Sequence, residues 1–120
     1  MKWFYNSLVT FLNVETGATR RPLSDLDEMA DNLQPGDIVL VEGLSRVSNV
    51  IRWVTHSPWT HAALYIGTVN EIKNAHLVNT IADYFDGADN EPLLIESRLG
   101  QGTVAQPLRF YTGSHLRIAR

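Results

Sequence analysis

Apolar residues recur along this chain with two different periods, and each change of period marks an element. Phe4, Leu8, Phe11 and Leu12 fall at helical spacing, which predicts a short amphipathic helix over residues 3–13 that packs this face on the core. It lacks the Lys/Arg-rich polar face of an interfacial membrane helix, so the core reading is preferred. Val14 to Arg21, with Gly17, reads as a loop. Leu23, Leu26, Ala30 and Leu33 then recur at helical steps, and Asp25 with Glu28 offers a capping-box pattern at the start of this second helix. It stops at Gln34-Pro35-Gly36-Asp37, where Pro followed by Gly suits a type II turn.

The period then shortens. Ile38-Val39-Leu40-Val41 is β-branched and continuous, predicting a strand buried on both faces. Ser45 is placed to cap a third helix with an apolar stripe of Val47, Val50, Ile51 and Val54. His56-Ser57-Pro58-Trp59-Thr60 breaks that helix and leads into a strand over 61–67, His61-Ala62-Ala63-Leu64-Tyr65-Ile66-Gly67. Residues 68–91 are polar and irregular, with a helical turn around Ile81 to Phe85. Leu93-Leu94-Ile95-Glu96 is a strand ending in a carboxylate, Gly100-Gln101-Gly102 turns into 103–108, and Leu116-Arg117-Ile118-Ala119 is the last strand. Helices in front and strands behind predict an α+β domain on a small, largely antiparallel sheet.

Composition narrows the function classes. With 120 residues, 44% apolar and 19% charged, the chain suits one soluble globular domain, residues 1–120. A net charge of −3, with Arg20-Arg21 the densest basic cluster, gives no stripe for nucleic acid and no firm sign of a membrane. No apolar run is long enough to span a bilayer, and Asn6, Ser7 and Thr10 interrupt what would be a signal-peptide core. The compartment therefore stays undetermined, with the cytoplasm favoured. There is no cysteine, which excludes disulfides, thiolate catalysis and cysteine-ligated zinc for these residues. No cofactor is implied.

Two residues stand where chemistry is useful. His61 follows a Ser-Pro-Trp-Thr turn and opens a strand, a rigid place within reach of solvent for a general base. Glu96 ends an apolar strand, where a carboxylate either reaches water or meets a partner. Bound to one imidazole nitrogen, it would fix the tautomer of His61 and stabilise the imidazolium. The plain alternatives are a strand-end histidine and a solvated glutamate without roles. A mononuclear metal site from His56, His61, His76 and His115 with Glu96 lacks helical spacing and any H-E-x-x-H pattern, so no metal is expected. Ser97, Thr103, Thr112 and Ser114 are the hydroxyls after His61 and Glu96, but none lies in a nucleophile elbow. Trp53, Trp59 and Tyr65 flank His61 and would either line an apolar pocket or belong to the core.

The run Leu33-Gln34-Pro35-Gly36-Asp37-Ile38-Val39-Leu40-Val41, the Val47–Val54 helix and Ser57-Pro58-Trp59-Thr60-His61 with its strand resemble the opening of permuted NlpC-like papain-fold proteins of the YiiX/YaeF type. These are related to the lecithin–retinol acyltransferase group. Leu94-Ile95-Glu96-Ser97 and Gly102-Thr103-Val104-Ala105-Gln106-Pro107-Leu108 are similar to the next block of that family, with 68–91 as an insertion. The resemblance implies a permuted papain-like fold in which the histidine comes early and a nucleophilic cysteine last, at a helix start. It implies His61 as base, Glu96 as its orienting partner, and hydrolysis or acyl transfer on amides or esters of peptides, cell-wall fragments or lipid-like small substrates. No cysteine or convincing helix follows Glu96, so the nucleophile helix is missing. Two expectations compete: a piece of a longer enzyme, favoured by the strand that runs to Arg120, or a domain that has lost its nucleophile. A non-catalytic ligand- or peptide-binding module of the same fold is the alternative function. An uncovered core face would take up the N-terminal helix or lead to self-association.

Overall fold

β-Branched and aromatic runs punctuated by Gly and Pro pair here into one sheet. In the computed structural model, which describes residues 1–14 and 24–120, the strands are β1 (Ile38–Glu42), β2 (His61–Gly67), β3 (Leu93–Arg98), β4 (Gly102–Pro107) and β5 (His115–Ala119). Their order is β4-β3-β2-β1-β5 and every pairing is antiparallel. Four α-helices are described: α1 (Lys2–Asn13), α2 (Leu26–Asn32), α3 (Arg46–Thr55) and α4 (Ala75–Ala82). The result is a compact α+β domain, 39 × 38 × 21 Å, as the early helices and late strands lead one to expect. Most of the loop expected over 14–21, and Leu23 of the second helix, lie outside the described residues.

Local chemistry fixes the ends of the elements. Asp25 caps α2 by accepting from the N–H groups of Asp27 and Glu28, and Ser45 caps α3 by accepting from Ser48 N–H. At the turn, Asp37 N–H donates to Gln34 C=O at 2.9 Å and Gly36 has φ of 102°, the left-handed position that a type II turn demands. His56 ends α3 in the left-handed region at φ 52°, a conformation few side chains adopt, and so turns the chain towards β2. Residues 68–91 are more regular than their polarity suggests. They contain a 3-10 turn, Val69–Glu71, closed by a Thr68–Glu71 capping box, and α4, whose N-cap is Asn74.

One face of the sheet holds the core. Val39, Val41, Ala63, Tyr65, Leu94 and Leu116 are buried there, joined by Leu33, Leu108 and Tyr111, with Leu26, Met29 and Ala30 of α2 packed against them. β1 is therefore buried on one face only: Ile38 and Leu40 alternate with the buried pair and are half-exposed, and Leu64 on β2 is exposed. A thickness of 21 Å has room for the sheet and one helical layer, since packed layers lie about 10 Å apart. Two helices depart further from expectation. No residue of α1 is buried, and Val50 and Val54 of the α3 stripe are 56% and 62% exposed. The two helices lie against each other instead, with the Arg46 guanidinium 4.0 Å above the Phe11 ring.

Candidate functional site

The chain enters β2 under tight control. Thr60 N–H donates to Val41 C=O at 3.0 Å, and the Thr60 hydroxyl accepts from Gly43 N–H at 2.9 Å, so the residue before His61 is clamped to the end of β1. Gly43 has to be glycine here: a Cβ would stand 2.2 Å from Ser48 Oγ and 2.8 Å from Thr60 Oγ1. His61 then pairs in register with Val41, whose side chain is core-facing. Alternation along β2 places His61 and Ala63 on one face, and the Leu64–Ile95 register sets Glu96 beside Ala63 on that same face. The two side chains are thus diagonal neighbours. His61 Nε2 and Glu96 Oε2 are hydrogen-bonded, the expected contact, although Glu96 lies within β3 and does not end it, because the strand continues through Ser97 to Arg98.

A third residue completes the arrangement. The 3-10 turn Leu108–Tyr111 after β4 carries Tyr111 into the core, where its hydroxyl donates to the same oxygen, Glu96 Oε2. Glu96 is only 3% exposed, and its other oxygen, Oε1, is buried without a partner among the described residues. Burial alone would raise the Glu96 pKa. The hydrogen bonds from His61 and Tyr111, with the charges of His61 and Arg98, outweigh it and hold the carboxyl below the usual glutamate range. Burial, then the bond to this carboxylate, pushes the Tyr111 phenol far up, so it stays a donor. Glu96 is thus an ionised, immobilised acceptor, and His61 is the member of the trio that reaches solvent, its side chain 30% exposed.

His61, Glu96 and Tyr111 form one wall of a cleft of about 540 Å³ at the end of the sheet. Ser45, Val47, Ser48 and Ile51 of the α3 segment and Asn13 at the end of α1 form another. A second imidazole–carboxylate pair lines the same cleft: Glu42, the last residue of β1, accepts from His115 Nδ1 at 3.0 Å, and His115 is its register partner at the start of β5. Arg52 reaches Glu42 at 3.4 Å and donates to Gly43 C=O at 2.8 Å, and Trp59 stacks on the His115 ring at 5.1 Å. Both pairs join a strand-opening histidine to a glutamate, but Glu42 ends β1, whereas β3 runs two residues past Glu96, which lies buried inside the strand and takes the Tyr111 hydroxyl as well. The signal that singled out His61 and Glu96 was present at His115 and Glu42 too.

No family model, curated protein or solved structure matches the chain. The site is therefore read from its own geometry. Ser97, Thr112 and Ser114 lie on the cleft wall and Thr103 lies away from it. The four histidines do not gather: among the described residues no group of three or more His, Cys, Asp or Glu side chains is placed to hold a metal ion. Of the flanking aromatics, Tyr65 is core and Trp53 is exposed, while Trp59 packs on the His115 ring. Tyr111, the aromatic that does meet the pair, is separated from His61 by 50 positions and gave no periodic signal. Among the described residues no helix is long and apolar enough to cross a membrane.

Proposed function

We propose that this α+β domain is a permuted papain-like, NlpC-type unit of a thiol hydrolase or acyl transferase acting on amide or ester bonds, with His61 as the proton carrier and Glu96 as its orienting partner. One observation carries the reading. The buried carboxylate of Glu96, fixed by Tyr111, takes Nε2 of His61, while Nδ1 has no partner among the described residues and His61 lines the cleft. That division of the two ring nitrogens is what a base needs, one held by an orienter and the other free for the reacting group. Peptides, cell-wall fragments and lipid-like small molecules are the substrate classes considered. The chain has no cysteine, so the thiolate has to come from outside these 120 residues. The same fact favours a second reading, a non-catalytic module that binds a ligand in this cleft.

A supplied thiol separates the two. With p-nitrophenyl acetate and 2-mercaptoethanol, the thiol proton passes to His61, the sulfur attacks the acyl carbon, the ester C–O bond breaks, and the departing phenol takes the proton. Thioester formation is expected to exceed the buffer rate by about tenfold or more and to return to it in His61→Ala. Equal rates for the two proteins would overturn the catalytic reading and leave the binding module. Turnover without thiol that vanishes in His61→Ala would place the nucleophile on a hydroxyl or a metal-bound water instead.

A further inference from the structure

The cleft has an unusual neighbour. Among residues 1–14 and 46–55, the large apolar side chains mostly face solvent: Trp3 and Trp53 are each about four-fifths exposed, and Phe4, Leu8, Phe11, Val50 and Val54 are close to half exposed or more. On α1 the exposed Phe4, Leu8 and Phe11 recur at helical spacing, and on α3 so do Val50, Trp53 and Val54. α1 therefore turns outward the stripe expected in the core, and on α3 Val50 and Val54 of the expected stripe face outward with Trp53, while Val47 and Ile51 line the cleft. At ~200 Å² per ring system, the two tryptophans alone present roughly 300 Å², already the area of the largest apolar patch on many monomers.

Charge indicates what meets this surface. α1 and α3 carry Lys2, Arg46 and Arg52 and no acidic residue, while the rest of the chain holds the other seven Lys and Arg and all thirteen Asp and Glu. Arg52 turns inward to Glu42 and Gly43, so Lys2 and Arg46 are the cations that accompany the outward aromatics on an otherwise acidic molecule. Taken alone, α1 lacks the basic flank of an interfacial helix; its contact with α3 supplies it, since Arg46 lies directly over Phe11. We propose that the paired outer faces of α1 and α3 dock the protein on an anionic lipid surface, with the aromatic stripes in the interface and Lys2 and Arg46 among the headgroups. The inference is independent of any catalytic role for His61. It also sets the cleft close to the membrane, because Asn13 and the inner side of α3 line it.

Co-sedimentation of the full chain with phosphatidylcholine vesicles, alone and with phosphatidylserine, tests this. Binding is expected to the serine-containing vesicles, with a blue shift of tryptophan emission and release by salt. Trp3→Ser/Phe4→Ser/Trp53→Ser removes exposed side chains only, so its circular dichroism should match the parent while binding falls at least about tenfold. Lys2→Glu/Arg46→Glu leaves the apolar stripes in place and should lose about tenfold on the anionic vesicles alone. Failure to bind the serine-containing vesicles overturns the proposal, as does equal binding by the charge-reversed variant. If the chain instead forms a dimer that the triple substitution dissolves, and vesicles are ignored, the surface belongs to a second copy and the lipid proposal is wrong.

Discussion

At the scale of single residues, the consequential feature is that one glutamate oxygen receives two donors while the other receives none. Glu96 Oε2 is shared by His61 and Tyr111, and Oε1 is enclosed without a partner among the described residues. A carboxylate left this way depends on both donors to remain ionised. Its pKa is depressed in the folded protein, so its contribution to stability is complete above the ordinary glutamate value of 4.5 and is lost as pH falls through the lower, folded value. Tyr111→Phe removes a hydrogen bond to a charged group, which costs about 1.5–3 kcal/mol, and lets the Glu96 pKa rise. Thermal unfolding followed across acidic pH should show the variant less stable at neutral pH, with a smaller further loss as pH falls below the ordinary glutamate value, so that the gap to the parent narrows in acid. A gap that stays constant across acidic pH would show that Tyr111 does not sustain the ionised carboxylate.

At the scale of elements, the site depends on how β1 hands its register to β2. The clamp joins Gly43, Ser48 and Thr60, and it works only because nothing projects from Gly43. In Gly43→Ala the new methyl would lie within 3 Å of both hydroxyl oxygens, so the β1–α3 link and the Thr60 clamp cannot both persist. A loss of about 1–3 kcal/mol is expected by chemical denaturation. The His61 ring should also shift, seen as a change in its imidazole NMR signals, whereas Gly102→Ala, at the start of β4, leaves those signals alone. Unmoved His61 resonances in Gly43→Ala would mean that the clamp does not position the ring. This link also shows what was legible in the sequence. The strands announce themselves through apolar runs at 38–41, 61–67, 93–96 and 116–119, and His61 and Glu96 stand out because each borders such a run; β3 in fact continues to Arg98, since Ser97 and Arg98 pair with Thr103 and Gly102 whatever their polarity. The α4 helix was less visible: five of its eight residues are apolar but only Ile81 is buried, so no stripe marks a packed face, and its clearest cue is Asn74 as a cap. Tyr111 and the Glu42–His115 pair escaped because the contacts that define them are tertiary, and no local period encodes which strand end meets which.

At the scale of the whole molecule, stability and surface chemistry divide between two regions. The sheet and α2 contain the buried cluster, in which Leu94 and Val39 are wholly inaccessible. α1 contributes no buried residue, and the contacts described for it are with α3 and the margin of the cleft: Arg46 over Phe11, Arg46 N–H on Val14 C=O at 3.1 Å, and Val9 close to Gly100. Periodicity assigned α1 to the core because it could register an amphipathic face without specifying what that face would meet. The energetic consequence is a sharp contrast between two changes of very different size. Leu94→Ala removes a few atoms from the centre of the core and should cost about 2–5 kcal/mol, a large share of the 5–15 kcal/mol that holds a domain together. Deleting residues 1–13 removes a whole helix, yet takes from the described structure no fully buried side chain, Val9 and Leu12 being half-buried at most. Its midpoint of thermal unfolding should therefore move by less than about 4 °C, the shift that roughly 1 kcal/mol produces in a domain near this size. Calorimetry on the two variants decides the matter. A deletion as damaging as Leu94→Ala would show that α1 packs against the domain in solution, and the outward-facing stripes would have to be drawn as part of the core after all.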